Sequence, residues 1–256
     1  MALKLEKLET KAPKSVEEAD IVAKTEKMAE KIAEKVEVLY AQKKHSLLVI
    51  LQGMDASGKD GVTKTVFGRC SPAWVDAFGF KKPTPDEMAH DFLWRVHKEA
   101  PAKGMVKVFI RSHYEDVLIQ KVHGWISEEK CKNRYKAINA WEKLLVEDNN
   151  TTIIKLFLNI SPEKQLEKLT ERVEDPTKNW KHNDGDWAER KLWPEYAKAF
   201  NKVFEECDEV NWNNVPADSR WYRNYVAAKL VLEALEKMDL AYPKLDPKPS
   251  IAELTK

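Results

Sequence analysis

The sequence predicts a three-layer α/β sandwich, in which a parallel sheet carries helices on both of its faces. Short apolar runs, which are typical of buried strands, alternate along the chain with longer segments whose apolar residues recur at helical spacing. Strands that alternate with helices in this way favour a doubly wound parallel sheet. The length of 256 residues fits one such domain, and a hydrophobic content of 43% is enough for its core.

The first predicted element is a helix, because apolar residues from Ile21 to Leu39 recur at helical spacing among lysines and glutamates. Two prolines exclude a regular helix from residues 80–85. Asp86 is the predicted N-cap of the next helix, which continues through Trp94 and His97. The predicted strands are the apolar runs 47–51, 105–110 and 153–158, together with the segments 73–78 and 210–215.

The domain organisation predicted from these patterns is simple. Residues 1–20 form a flexible N-terminal arm, residues 21–240 form one domain, and residues 241–256 form a proline-containing tail. Within the domain, periodicity breaks down near an Asp-Pro pair and an Asn-Asp-Gly turn. We interpret residues 172–192 as a helical lid over a site.

Charge and cysteine content exclude several classes of protein. Lysine and arginine residues number 43 and aspartate and glutamate residues 42, so the net charge of +1 argues against broad electrostatic binding to nucleic acid or membrane. A bound polyanion would therefore need a local basic patch. Cys70, Cys131 and Cys207 lack metal-binding spacing, which indicates reduced thiols in a cytoplasmic protein. No apolar stretch is long enough to span a membrane, and the N-terminus lacks the apolar core of a signal peptide.

A glycine-rich loop lies between the first predicted strand and the next helix. Its sequence, Gly-Met-Asp-Ala-Ser-Gly-Lys-Asp over residues 53–60, has the spacing G-x-x-x-x-G-K of a P-loop. Such a loop points backbone N–H groups at a phosphate, and the helix N-terminus and the lysine add positive charge. The alternative is a chance glycine-lysine loop. The predicted phosphate-binding residues are Gly53, Ala56, Ser57, Gly58, Lys59 and Asp60.

The loop departs from the usual P-loop at two positions. Asp60 stands where a serine or threonine normally binds magnesium, and Asp55 lies inside the loop. A carboxylate repels phosphate unless a cation lies between them. The loop is therefore predicted to bind a metal ion or an acceptor group.

A second charged segment directly follows the third predicted strand. Ligands of parallel α/β sheets collect at the carboxyl ends of the strands, and Arg111 can contact phosphate there with two hydrogen bonds. Glu115 and Asp116 follow within one turn and could hold a metal ion or an acceptor. The alternative is the start of a surface helix, where carboxylates interact favourably with the helix dipole.

A third charged segment is the predicted lid. Arg172, Lys178 and Lys181 could close over a phosphate chain and exclude water from the transferred group. A solvated charged loop is the alternative, and it would be preferred if the segment were considered alone. The P-loop elsewhere in the chain makes the lid the better interpretation.

With these segments in view, the chain resembles the polyphosphate kinase 2 family. The matching stretches are residues 53–61, 80–85, 90–95 and 111–118, together with the lid sequence Asp-Pro-Thr-Lys-Asn-Trp-Lys. The resemblance runs from about residue 25 to about residue 240. It implies a P-loop kinase-like fold and phosphoryl transfer between inorganic polyphosphate and a nucleotide.

The resemblance also implies roles for individual residues. Asp55, Lys59, Arg111 and Glu115 are the expected catalytic residues, and Glu115 is the position tied to use of both AMP and ADP. Asp55 is either a base or a metal ligand, and the sequence leaves both roles open. The expected polyphosphate contacts beyond the P-loop are Lys81, Arg95, Arg111, Arg172, Lys178 and Lys181. The expected nucleotide contacts are Asp55, His113, Tyr114 and Glu115. The expected metal ligands are Asp55 and Glu115.

The function predicted from the sequence is a reversible, Mg²⁺-dependent polyphosphate:AMP/ADP phosphotransferase, with Mn²⁺ as a substitute metal. Its expected partners are polyphosphate and adenine nucleotides, with guanine nucleotides as further candidates, and neither nucleic acid nor membrane. The resemblance implies a homo-oligomer. Two alternatives are an ATP-dependent nucleoside monophosphate kinase and a P-loop switch protein, although a switch protein would be expected to keep the loop serine or threonine.

Overall fold

The computed structural model describes residues 3–246 and residue 254, so residues 247–253, 255 and 256 of the predicted tail lie outside the described part. The strands are β1 (Ser46–Gln52), β2 (Val75–Gly79), β3 (Val106–Ile110), β4 (Thr151–Asn159) and β5 (Trp212–Pro216). The helices are α1 (Glu18–Gln42), α2 (Lys59–Phe67), α3 (Pro85–Ala89), α4 (Trp94–His97), α5 (Ile119–Val122), α6 (Glu128–Asn149), α7 (Pro162–Glu174), α8 (Asp184–Lys191), α9 (Trp193–Glu206) and α10 (Arg220–Glu236).

The strands form one parallel sheet in the order β2-β3-β1-β4-β5. Strand β1 is central, and Leu47 is aligned with Val106 of β3 and Thr152 of β4. Every residue of β1 is buried, as its continuous apolar run predicts for a strand covered on both faces. The predicted α/β fold with a parallel sheet is therefore confirmed.

Helices cover both faces of this sheet. Helices α1, α2 and α10 pack together on one face, while α6 packs on β4 and against α9 on the other. The buried residues of α1 recur at helical spacing because one stripe of the helix faces the core. Within residues 3–246, no helix has both the length and the apolar character that a bilayer crossing requires.

The beginning of the chain packs on the domain, whereas the sequence predicted a flexible arm. The Leu5 backbone N–H donates to Asn201 at 2.7 Å, and Asn159 donates to the carbonyls of Leu8 and Glu9 at 3.2 Å. Thr10 also donates to Asp218 at 3.0 Å. Leu3, Leu5 and Leu8 also pack against the hydrophobic core. Three apolar side chains in a short segment are too few to form a periodic pattern, so the sequence does not predict this packing.

The segment after β2 also differs from the prediction. The N-cap of α3 is Thr84 and not Asp86, because the Thr84 hydroxyl accepts from the Glu87 N–H at 3.2 Å. The Glu87 carboxylate accepts from the Thr84 N–H at 2.7 Å, which completes a capping box with Pro85 at the first helical position. The single helix predicted from Asp86 to His97 is divided into α3 and α4.

Candidate active site

The glycine loop joins the carboxyl end of β1 to the N-terminus of α2, as predicted for a P-loop. Gly58 has a backbone φ angle of 92°, and a Cβ atom on Gly53 would lie 2.5 Å from the Leu158 carbonyl oxygen. The Lys59 Nζ donates to the carbonyls of Gly53 at 2.8 Å and Met54 at 3.2 Å. The loop therefore curls around the lysine amine, and burial lowers the pKa of Lys59 although Asp55 opposes the shift.

Asp55 and Arg111 form an ion pair at the base of the site. The Arg111 Nη2 donates to Asp55 Oδ1 at 2.6 Å, which joins the P-loop to the residue that directly follows β3. Burial alone would raise the pKa of Asp55, but Lys59 and Arg111 outweigh it and hold the pKa below its ordinary value of 3.8. Asp55 is therefore an ionised carboxylate in a cationic surrounding.

Glu115 lies near this ion pair. Burial raises the pKa of Glu115, and the nearby Arg111 and Lys59 oppose that shift. The side-chain amide of Gln52 donates to Ser112 at 3.1 Å, while its oxygen, Gln52 Oε1, is buried and has no hydrogen-bond partner. Asp55, Glu115 and Gln52 line the same small cavity.

A cleft of about 760 Å³ lies in front of the P-loop. Ten basic and five acidic residues line it, so its wall is strongly cationic although the whole chain has a net charge of only +1. A surface of this kind is suited to a polyanion. Its basic residues are Lys59, Lys64, Lys81, Arg111, Lys168, Arg172, Lys178, Lys181, Arg220 and Arg223.

A second cavity of about 230 Å³ opens from the same region. Apolar and aromatic side chains form part of its wall, namely those of Met54, Leu118, Ile119, Trp193, Tyr196 and Phe200. Four residues line both this cavity and the large cleft: Asp55, Arg111, Asn183 and Asp186. The two spaces therefore meet at the Asp55–Arg111 ion pair.

The segment predicted to be a lid contributes cations to the large cleft. Arg172 on α7 donates to Asp186 on α8 at 2.5 Å and to the Lys181 carbonyl at 3.3 Å, so one guanidinium holds two parts of the lid together. Lys178 pairs with Asp175 at 2.8 Å and with Glu171 at 3.4 Å. Arg172, Lys178 and Lys181 all line the cleft, where the sequence placed them.

Arg95 does not line the cleft with the other predicted phosphate contacts. Its guanidinium is buried, donates to the Lys81 carbonyl at 2.9 Å, and lies 3.5 Å from Asp116. Lys81 itself does line the cleft. In this structure Arg95 holds the chain beside Lys81 and is not placed to touch a ligand in either cavity.

His113 and Tyr114 also lie away from both cavities, and each is fully buried. The Tyr114 hydroxyl donates to Glu142 at 2.6 Å, and Lys155 donates to Glu142 at 2.8 Å and to the Tyr114 oxygen at 2.9 Å. The His113 ring lies 3.5 Å from Glu142. Their position within this buried polar cluster does not support the predicted nucleotide contact.

The sequence analysis missed the contribution of α10 to the cleft. Arg220, Arg223 and Asn224 line it, and all three lie just after the carboxyl end of β5. The rule that ligands collect at this edge of a parallel sheet could have identified them. Apolar periodicity does not reveal them, because arginine and asparagine contribute nothing to an apolar stripe.

Comparisons with known proteins agree on one family. The family model described as Polyphosphate kinase 2 (PPK2) matches residues 15–243. The AMP/ADP-polyphosphate phosphotransferase of Meiothermus ruber is 41% identical over 210 residues, which are 81% of this chain and 78% of that protein. The ADP-polyphosphate phosphotransferase of Rhodopseudomonas palustris is 34% identical over 232 residues, which are 85% of this chain and 80% of that protein.

A solved structure matches along nearly the whole chain. It is the crystal structure of Polyphosphate Kinase 2 from Arthrobacter aurescens TC1, which is 40% identical in sequence. The TM-score is 0.94, and the match covers 99% of this chain and 92% of the other. Sequence similarity and structural similarity therefore identify the same family.

Proposed function

This chain belongs to the polyphosphate kinase 2 family, and we propose that it transfers phosphoryl groups between inorganic polyphosphate and AMP or ADP. The observation that carries the proposal is the cationic wall of the large cleft, with ten basic and five acidic residues in a nearly neutral chain. Inorganic polyphosphate carries negative charge along its whole length and needs such a surface. The names of the two relatives described above support the choice of acceptors.

The two cavities suit the two substrates. We assign polyphosphate to the large cleft, because the P-loop and the lid cations line it. We assign the nucleotide to the smaller cavity, because the side chains of Ile119, Trp193 and Phe200 offer an apolar wall for a base and ribose. Transfer then takes place where the two spaces meet, beside Arg111.

The reaction requires positioning and charge neutralisation more than covalent chemistry. A phosphate oxygen of the acceptor forms a bond to the terminal phosphorus of polyphosphate, and the anhydride bond to the next phosphate breaks. The electron pair of that bond stays on the shortened polyphosphate. In this proposal Lys59 and Arg111 neutralise charge on the transferred group. The reaction is reversible because it exchanges anhydrides of similar energy.

The residues at the junction fit a magnesium ion. Mg²⁺ prefers hard oxygen ligands and is usually bound through one or two carboxylates together with substrate phosphates. Asp55 and Glu115 offer carboxylates, and Gln52 offers a buried amide oxygen without a hydrogen-bond partner. Across residues 3–246 there is no cluster of three or more histidine, cysteine or acidic residues placed to hold a metal. When bound, Mg²⁺ would neutralise phosphate charge.

A direct assay tests this function. Purified protein, Mg²⁺ and AMP are mixed with long-chain polyphosphate in the absence of ATP, and nucleotides are followed by chromatography. We expect ADP and then ATP to appear. ATP formed only when ADP is supplied would remove AMP from the acceptors, and transfer only with ATP as the donor would identify an ATP-dependent kinase instead.

A further inference from the structure

Arg223 on α10 is a buried cation that has no acidic partner among residues 3–246. Its side chain is only 6% exposed, yet it contributes to the wall of the large cleft. The guanidinium donates to the Ser57 carbonyl at 3.3 Å and to Asn224 Oδ1 at 2.8 Å. No carboxylate of residues 3–246 lies within ion-pair distance of it. Both of its protein partners are neutral.

The surroundings of Arg223 make this charge costly. Burial, together with repulsion from Arg220, lowers the pKa of Arg223 to about 10. A buried charge is normally matched by an opposite charge or removed, because desolvation is expensive. A positive charge that remains unpaired at the wall of a cleft is therefore arranged for an anion from outside the protein.

The position of the guanidinium relative to the P-loop indicates which anion. A Cβ atom on Gly58 would lie 1.9 Å from Arg223 Nη1, and one on Gly61 would lie 2.7 Å from Nη2. The guanidinium thus lies directly against the glycines of the loop and the first turn of α2, with Lys64 also in the wall of this part of the cleft. A phosphate chain held by the loop would pass beside it.

We propose that Arg223 is a polyphosphate-binding residue, and that the bound phosphate chain supplies the counter-ion that the described part of the chain lacks. The proposal rests on the function proposed above and adds a ligand from α10 to the P-loop and lid cations. It has a consequence that a purely structural arginine would not have. Without an anion, loss of the positive charge should leave the protein as stable as before or more stable, while polyphosphate should stabilise the variant less.

The experiment compares Arg223→Gln and Arg223→Lys with wild type. Glutamine can still donate to the Ser57 carbonyl but carries no charge, whereas lysine keeps the charge. Arg69→Gln is the matched control, because Arg69 pairs with Glu30 on the surface outside both cavities. Each protein is melted with and without long-chain polyphosphate, and the KM values for polyphosphate and AMP are measured.

We expect the KM of Arg223→Gln for polyphosphate to rise about tenfold or more, as loss of a charge-assisted contact predicts, with little change in the KM for AMP. Its Tm without polyphosphate should equal or exceed that of wild type, and its Tm rise with polyphosphate should shrink. For Arg223→Lys, the KM for polyphosphate and the Tm rise with polyphosphate should lie between those of wild type and Arg223→Gln. Arg69→Gln should match wild type in both.

Two results would overturn the inference, and they differ from a failure of the proposed function. A lower Tm for Arg223→Gln without polyphosphate, together with an unchanged KM, would show that Arg223 only supports the loop. If Arg223→Gln has the same KM for polyphosphate as wild type and the same Tm rise with polyphosphate, the charge of Arg223 does not contact polyphosphate. If wild type itself makes no ADP from polyphosphate and AMP, the proposed function fails, whatever the variants show.

Discussion

At the scale of single residues, the ion pair between Asp55 and Arg111 joins two loops at the point where both cavities meet. We expect Arg111→Ala to lower kcat/KM by about 100-fold to 1,000-fold, the range found when a group that stabilises transition-state charge is removed. The Arg111 side chain is 42% exposed, so the variant should fold. Initial rates and a thermal melt measure both effects. Turnover close to that of wild type would exclude Arg111 from the reaction.

The buried side chain of His113 should make the free energy of unfolding depend on pH. Burial lowers the pKa of His113 below its ordinary value of 6.5, with Lys155 acting in the same direction and Glu142 opposing. Below about pH 6.5 the unfolded chain therefore binds a proton that the folded protein does not. The free energy of unfolding should fall as pH decreases from 6.5, with a slope from this group of at most about 1.4 kcal/mol per pH unit.

The variant His113→Phe should lose this component of the pH dependence. Urea unfolding at several pH values between 7.5 and 5 measures it, and His182→Gln, an exposed histidine of the lid, is the control. If His113→Phe and wild type lose stability in parallel over this range, His113 is not a neutral buried histidine.

The same loop shows where prediction from sequence reaches its limit. The position directly after a strand and the residue types identified Arg111 and Glu115, and the structure places both at the cavities. The sequence could not show that His113 and Tyr114 turn into the core, because the loop forms a tight 3₁₀ turn from His113 to Asp116. Its side chains follow neither the period of a strand nor that of an α-helix.

At the scale of secondary-structure elements, β4 and α6 are joined by a fully buried ion pair. Lys155 and Glu142 have no exposed side-chain surface and lie 2.8 Å apart. We expect Lys155→Met to lower the free energy of unfolding by about 3–5 kcal/mol, because it leaves Glu142 buried without its counter-charge. The free energy of unfolding should decrease less in the double variant Lys155→Met/Glu142→Gln than in the single variant. Guanidinium chloride unfolding measures both values.

A surface ion pair on the same helix provides the control. Lys143 and Glu147 are both largely exposed, so Lys143→Met should change the free energy of unfolding by less than about 1 kcal/mol. If Lys155→Met had an equally small effect, the buried pair would not hold β4 and α6 together.

Substitution of Arg172 tests whether the predicted lid binds polyphosphate. We expect Arg172→Ala to raise the KM for long-chain polyphosphate about tenfold and the KM for AMP less than about twofold, because Arg172 lines only the large cleft. Lys191→Ala removes an exposed lid charge outside both cavities and should leave both values unchanged. Equal increases in the two KM values of Arg172→Ala would argue against a lid on the donor side.

Elements that depend on apolar periodicity were predicted well. Each of the five predicted strands is present in the sheet. The apolar runs of β1, β3 and β4 are almost completely buried, as strands covered on both faces require, whereas the edge strands β2 and β5 are partly exposed. The N-cap of α3 was misplaced by two residues, since Thr84 and Asp86 are both good capping residues and only the geometry of the capping box distinguishes them. Arg223 was missed because it occupies a buried position of α10 that an apolar-stripe analysis assigns to the core.

At the scale of the whole molecule, the cationic cleft contrasts with the chain's net charge of only +1. Added salt shortens the Debye length from about 10 Å at 0.1 M to about 3 Å at 1 M, which weakens attraction summed over many charges. We expect the KM for polyphosphate to rise more steeply with salt than the KM for AMP. Steady-state kinetics in sodium chloride measure both, with sucrose as a control for solute effects. Parallel increases would contradict multi-site binding in the cleft.

The strand order also determines how this chain must fold. The central strand β1 gains its two neighbours only from β3 and from β4, about 60 and 105 residues later in the chain. Helix α1 packs most extensively on α10, near the far end of the described chain. Such long-range pairing slows folding, because long loops must close before the contacts form. A nascent chain that ends before Thr151 would expose one edge of an apolar strand to self-association, so the fold depends on completed synthesis of the domain.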